Sequence, residues 1–167
     1  LALYKLTMAF LATMRGTPQF FYGSEILATS PKTRSDGKVR SQFPGGWPEH
    51  EHNAFTGEGL SADQHNAQSF LRHLLNWRKG ASVIHDGKLL HYAPEDGVYV
   101  YFRYTDTKRV MVVLNKSERD QILDLQRFHQ GLAEHSEGTE VLSGQTYRLS
   151  GTLTAPSRQA LIIELDR

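Results

Sequence analysis

The chain has no cysteine among its 167 residues. That excludes a disulfide framework and a thiol nucleophile, and it removes cysteine as a guide to compartment. Net charge is nearly absent too: 19 Lys and Arg against 18 Asp and Glu leave a formal +1. No basic field argues for a nucleic-acid partner or an anionic membrane surface. Long apolar runs are also missing. The most apolar stretch, Leu1 to Met14, contains Lys5 and no small-residue cleavage site, so it does not read as a targeting signal. At about 1.5 Å of rise per residue it is too short to cross a bilayer as a helix, and no membrane insertion is expected. Internal repeats, low-complexity tracts and Gly-rich phosphate loops are absent. What is present is a globular composition, 39% hydrophobic and 22% charged. The length suits one ordinary domain, or a small domain with a piece of another.

Leu3, Leu6, Phe10 and Met14 fall on one helical face with Leu11 beside it, and Ala2, Ala9 and Ala12 make the opposite side small. Gly16 stops this helix and Pro18 prevents it from resuming. The following run, Arg15-Gly16-Thr17-Pro18-Gln19-Phe20-Phe21-Tyr22-Gly23-Ser24-Glu25, reads as a strand over Gln19 to Tyr22, buried on both faces and delivering polar groups at its end. Residues 26–60 form a long irregular stretch rich in Gly and Pro. Because it also carries Phe43, Trp47 and Phe55, it is expected to pack on something or to line a site. Ser61 starts a second helix with Gln64 as its capping-box partner, and Ala67, Phe70, Leu71 and Leu74 follow at helical spacing. Arg78 and Lys79 suit the last turn, and Gly80 is expected to cap it.

From Leu89 onward the apolar period changes to two. Residues 97–104 and 109–115 read as a hairpin about the turn 105–108. Further strands are expected at 122–125, 139–142, 146–149 and 159–165, with a short one near Leu153. The fold class is therefore mainly β: an antiparallel β-sandwich over 85–167, preceded by an α/β segment over 1–84.

This order of elements resembles the α-amylase superfamily of glycoside hydrolases, and within it the neopullulanase and cyclomaltodextrinase group. The resemblance is carried by Arg15 to Glu25, by Ser35 to Arg40 with Phe43 to Trp47, and by Asn53-Ala54-Phe55. Leu74 to Lys79 and Pro94 to Tyr101 extend it. Ser24 departs from it, standing where many relatives carry an acidic residue. The resemblance implies that 1–84 is the end of a (β/α)8 barrel and that the chain is the C-terminal part of a larger enzyme. That enzyme would be a retaining α-glycosidase acting on α-1,4 and α-1,6 glucans, with α-glucan oligosaccharides as its ligands. Retention needs two carboxylates about 5 to 5.5 Å apart. In the family these sit after earlier barrel strands, so the chain itself is expected to hold no catalytic residue and to be inactive. The superficially similar Arg103-Tyr104-Thr105-Asp106 has the wrong spacing for the nucleophile motif and falls in the hairpin turn. The resemblance also implies a bacterial, exported or periplasmic enzyme, with a cytoplasmic location as the alternative. No cofactor is expected; calcium occurs in relatives, and no ligand for it is assignable here. Leu6, Phe10, Phe20 and Phe21 are expected to lie partly uncovered, which favours self-association.

Four residues are singled out for sugar contact: Tyr22, Glu25, Arg40 and Trp47. Arg offers several fixed donors to hydroxyls, and a Trp ring offers an apolar face to a pyranose; packing within the loop is the alternative for Trp47. Tyr22 and Glu25 close the expected strand and serve either as scaffolding, with Glu25 holding the loop through Arg40, or as sugar contacts. Glu49-His50-Glu51-His52 is read as a solvated loop rather than a metal site, because its spacing fixes no coordination geometry. Asn115-Lys116-Ser117 matches a glycosylation sequon and is read as idle. The rival function is a non-catalytic α-glucan-binding sandwich that uses Tyr99, Tyr101 or Tyr104.

Overall fold

A computed structural model describes residues 1–30 and 35–165. They divide into two compact units, residues 1–18 with 72–167 and residues 19–71. The helices are α1 (Ala2–Thr13), α2 (Asp36–Val39), α3 (Ala62–Gly80), α4 (Ser82–Asp86) and α5 (His129–Leu132). The strands are β1 (Lys88–His91), β2 (Val98–Tyr104), β3 (Arg109–Asn115), β4 (Gln121–Asp124), β5 (Glu137–Glu140), β6 (Thr146–Arg148), β7 (Thr152–Ala155) and β8 (Gln159–Leu165).

In the first unit the strands make a six-stranded sheet in the order β1-β2-β3-β8-β5-β6 and a two-stranded sheet β4-β7. Every pairing is antiparallel. The expected hairpin is present, with Val98 opposite Asn115 and Tyr104 opposite Arg109. Thr105 N–H closes its turn on the Lys108 carbonyl at 2.8 Å. The inner face of the large sheet contributes Val98, Val100, Phe102, Met111, Val113, Leu161 and Ile163 to the sandwich core. Leu153 and Ala155 of β7 join it, as do Leu125, Phe128 and Leu132 from a helical turn that the periodicity does not announce.

The outer face of the same strands is buried too. Tyr101 and Arg103 of β2 and Ile162 of β8 are at most 1% exposed. The cover includes α1, which packs on β3 and β8, and α4, which packs on β2. The buried side of α1 is Met8, Ala9, Ala12 and Thr13. This reverses the expectation from the apolar stripe: Leu3 is 52% exposed, while Ala9 and Ala12 are fully buried. Small side chains let a helix backbone lie close to a sheet, and the large ones are left at the margin.

Polar groups join helix to sheet. The Thr13 hydroxyl donates to the Ala9 carbonyl at 2.6 Å, so its one proton is committed. The Tyr101 hydroxyl therefore donates to Thr13 Oγ1. Burial pushes the Tyr101 phenol well above its usual range and lowers the Arg103 guanidinium. Arg103 donates to the Thr13 carbonyl at 3.1 Å, to Gly87 at 2.8 Å and, more weakly, to Lys88 at 3.4 Å. Arg78 Nε donates to the Ala12 carbonyl at 2.8 Å. Two arginines thus satisfy carbonyls at the end of α1, where a helix leaves acceptors unpaired.

The capping box of α3 forms as expected: Ser61 N–H donates to Gln64 Oε1 at 2.9 Å, and Gln64 N–H donates to Ser61 Oγ at 3.3 Å. Gly80 is the last residue of α3 and is not among the left-handed glycines, so it does not supply the αL cap expected of it. The expected strand Gln19 to Tyr22 is absent. An extended segment becomes a strand only when its backbone groups find a ladder, and none of the described strands pairs with this one. Gly23 instead turns the chain at φ +83, and a 3-10 turn follows at Ser24–Ile26. Phe21, expected to lie partly uncovered, is 57% exposed.

Candidate functional site

The second unit is built around its loop, which is ordered by its own side chains. Asn53 is the centre. Its Oδ1 accepts the Phe55 and Thr56 N–H groups at 2.9 and 3.1 Å, an Asx turn. Its backbone N–H donates to the Glu58 carbonyl at 2.8 Å, and its carbonyl accepts Gly57 N–H at 2.8 Å. Ala54 N–H reaches back to the Pro44 carbonyl at 3.1 Å, and Gln68 of α3 holds the Ala54 carbonyl at 2.8 Å. Gly45 and Gly57 have φ of +100 and +87, where a side chain would be strained.

His50, from the His-and-Glu run, belongs to this scaffold. Its Nδ1 accepts the Gly45 N–H at 3.0 Å, which leaves Nε2 protonated to donate to Gln42 Oε1 at 3.1 Å. Among the described residues no group of His, Asp and Glu is arranged to hold a metal ion.

On this frame the loop presents aromatic rings to solvent. Trp47 is 59% exposed and Phe55 72% exposed, with Phe55 braced against Phe43 at 5.2 Å between ring centres. The Trp47 carbonyl accepts His50 N–H at 3.1 Å, which fixes the turn that carries the indole. Tyr22 is 47% exposed and stacks beside Phe21 at 4.6 Å. Its hydroxyl donates to the Ser41 carbonyl at 2.9 Å, tying the Tyr22 segment to the residue after Arg40. A small cleft of about 150 Å³ beside Tyr22 is walled by Ser24, Ser30, Val39 and Ser41.

Arg40 is exposed and its ion-pair partner is Asp36, at 3.9 Å. The expected contact from Glu25 to Arg40 is not formed, because α2 places Asp36 one turn before Arg40 while Glu25 sits half-buried in the 3-10 turn. Tyr22 lines the cleft, Arg40 is not among its walls, and Trp47 stands on a separate turn of the same unit. The rings of the rival reading fare differently. Tyr101 is fully buried, so it presents no face to a ligand, and Tyr99 and Tyr104 are half-buried. Asn115 is likewise fully buried, its amide donating to the Arg119 and Ala155 carbonyls at 2.9 Å each, so its side chain is not open to glycosylation.

Residues 89–164, which run from β1 into β8, match the model of a family described as the cyclo-malto-dextrinase C-terminal domain. The whole chain, in turn, resembles parts of larger solved enzymes. It superposes over 100% of its length on 34% of an alpha-amylase from Geobacillus thermoleovorans complexed with acarbose, with a TM-score of 0.76 and 17% identity. It matches a cyclic alpha-maltosyl-(1→6)-maltose hydrolase from Arthrobacter globiformis over 98% of its own length and 31% of that chain, with a TM-score of 0.67 and 13% identity. A maltogenic amylase from S. marinus gives 0.64 at 14% identity, with 98% and 19% of the two chains covered. At these identities the likeness is one of fold, and the chain spans about a third or less of the length of each. It is shared by helices, loop and sandwich alike.

Phe55 was legible only as one of several aromatic residues in the loop. Its exposure follows from the Asx turn at Asn53, and the Asn53-Ala54-Phe55 order is the signal that could have identified it.

Proposed function

We propose that the chain is the C-terminal part of an α-glucan hydrolase that breaks down starch-derived oligosaccharides, of the neopullulanase, cyclomaltodextrinase or α-amylase kind. The supporting observation is the combination of a cyclo-malto-dextrinase C-terminal domain at 89–164 with a whole-chain fold likeness to alpha-amylase-family enzymes. The reaction is retaining hydrolysis of α-1,4 and α-1,6 links. The two carboxylates it needs lie in other parts of the enzyme, and this chain alone is inactive.

The second unit supplies sugar contacts. Trp47 offers an apolar ring face to a pyranose, and Phe55 offers another. Arg40 offers guanidinium donors to hydroxyls, and its weak exposed pair with Asp36 leaves them available. Tyr22 shapes the neighbouring cleft, and Glu25 acts from the 3-10 turn beside it. The enzyme works outside the bacterial cytoplasm, in the periplasm or beyond. Half-buried Leu6, Phe10 and Phe20 and exposed Phe21 favour self-association, which sedimentation at rising concentration would detect.

The test is hydrolysis of maltotriose by the full protein, with Trp47→Ala and Arg40→Ala beside the parent sequence. Either variant should raise KM by about tenfold with a smaller change in kcat, as expected when a ground-state contact of about 1 kcal/mol or more is lost. Unchanged KM in both would remove the loop from the sugar site. Product of inverted anomeric configuration, read by NMR in the first minutes, would contradict the retaining mechanism.

A further inference from the structure

One end of the sandwich opens into a cleft of about 230 Å³ between β2 and β4. Its floor is apolar: Val98, Val100 and Phe128 are each at most 4% exposed. Its walls are polar. Gln121 and Asp124 come from β4, and Arg127 from the helical turn that follows. The Arg127 guanidinium is held in one plane by three contacts: Glu95 Oε2 at 2.6 Å, the Ala93 carbonyl at 2.8 Å and the Phe128 ring at 5.4 Å. Asp124 is fixed as well, since its Oδ1 accepts the Gln126 N–H at 2.9 Å. Ile122, 75% exposed on β4, forms an apolar lip.

The charges narrow the ligand. Glu95, Asp96 and Asp124 outweigh Arg127, so the cleft disfavours phosphate and other anions. Pre-positioned carboxylate, amide and guanidinium groups above an apolar floor match a molecule with a hydroxyl edge and a C–H face. A pyranose ring has both, and its hydroxyls donate and accept equally well. The cleft is also too small for a ligand of drug size, for which pockets run from about 300 to 1,000 Å³.

We propose that this cleft binds one pyranose unit of a neutral α-glucan chain, as a sugar site of the sandwich itself. The choice of α-glucan rests on the function proposed above; the choice of a neutral sugar rests on the cleft alone.

The test is an amide NMR titration of the 167-residue chain with maltotriose, cellotriose and inorganic phosphate. Maltotriose should give saturable shifts centred on residues 95–97 and 121–124, and phosphate none. The double variant Asp96→Gly with Gln121→Ala should weaken binding by about tenfold, the size expected for losing one hydrogen bond to a charged group. Asp96 has φ +47, a conformation glycine adopts freely, so the variant keeps its fold, which the dispersion of the same spectrum verifies. Silence at those amides with both sugars, equal shifts with phosphate, or maltotriose binding untouched by the double variant would overturn the proposal. Cellotriose shifting those amides while maltotriose does not would keep the sugar site and count against the α-glucan hydrolase.

Discussion

Replacing Arg103 by methionine is the sharpest test of how the helix is fastened to the sheet. Arg103 is 1% exposed and has no carboxylate partner among the ion pairs of the described residues. Its charge is met by backbone carbonyls, of which Gly87 at 2.8 Å and Thr13 at 3.1 Å are well placed. A hydrogen bond to a charged group contributes about 1.5 to 3 kcal/mol, so two such bonds are worth roughly 3 to 6 kcal/mol. Against this stands the desolvation of the buried cation, which methionine avoids and which amounts to several kcal/mol. The two carbonyls left without a donor cost about 1 to 3 kcal/mol each, and the net expectation is a loss of about 2 to 4 kcal/mol. At about 2 to 4 °C per kcal/mol for a chain of this size, the midpoint should fall by roughly 5 to 15 °C. Urea unfolding followed by near-ultraviolet circular dichroism would measure it, with an unchanged slope showing that the unfolded state is not altered. Arg103→Lys should lie between the two, because an ammonium keeps the charge but cannot span the carbonyls as a planar fork does. Arg103→Met within about 0.5 kcal/mol of the parent chain would refute the reasoning, since that is the range of inert surface substitutions.

Ser61→Ala removes one half of the α3 capping box and should cost about 1 kcal/mol in the same urea assay. Gly131→Ala would push a methyl group into the Phe102 ring and should cost about 1 to 3 kcal/mol by overpacking, seen as a lower thermal midpoint. Alkaline stability should report Tyr101. Its folded pKa is raised by burial, so the unfolded state gives up the proton first. Its contribution is complete below about pH 10 and is lost as the pH climbs above that value, with a slope of up to about 1.4 kcal/mol per pH unit. Tyr101→Phe should flatten that slope, measured by urea unfolding between pH 9 and pH 11.

The elements that were legible in the sequence are those whose signal is local. The β2–β3 hairpin follows from alternating β-branched and aromatic residues about a polar turn, and the start of α3 follows from Ser61 and Gln64. The span of β8 follows from the apolar run Ala160–Ile163, with Leu165 beyond it, after the break at Ser157-Arg158. What was not legible depends on distant partners. Alternation along β2 predicts one solvated face, but α4 covers the side that carries Tyr101 and Arg103. The buried face of α1 could not be chosen by hydrophobicity, because close approach to β8 selects Ala9, Ala12 and Thr13 over Leu3. Gln19 to Tyr22 has the composition of a buried strand but no ladder among the described residues. In the candidate site, Trp47 and Tyr22 stood out as aromatic residues beside turn glycines. The frame that holds them is a set of backbone-to-side-chain bonds from Asn53, His50 and Gln68, and their partners are set by a fold that sequence spacing does not encode.

Reducing-sugar release from maltooligosaccharides, pullulan and β-cyclodextrin, measured for the full protein and for this 167-residue chain side by side, tests the central claim most directly. The account predicts turnover by the full protein and none by the chain alone. Failure of the full protein on every α-glucan in the panel would contradict it. So would turnover by the isolated chain that disappears when one of its own carboxylates is changed.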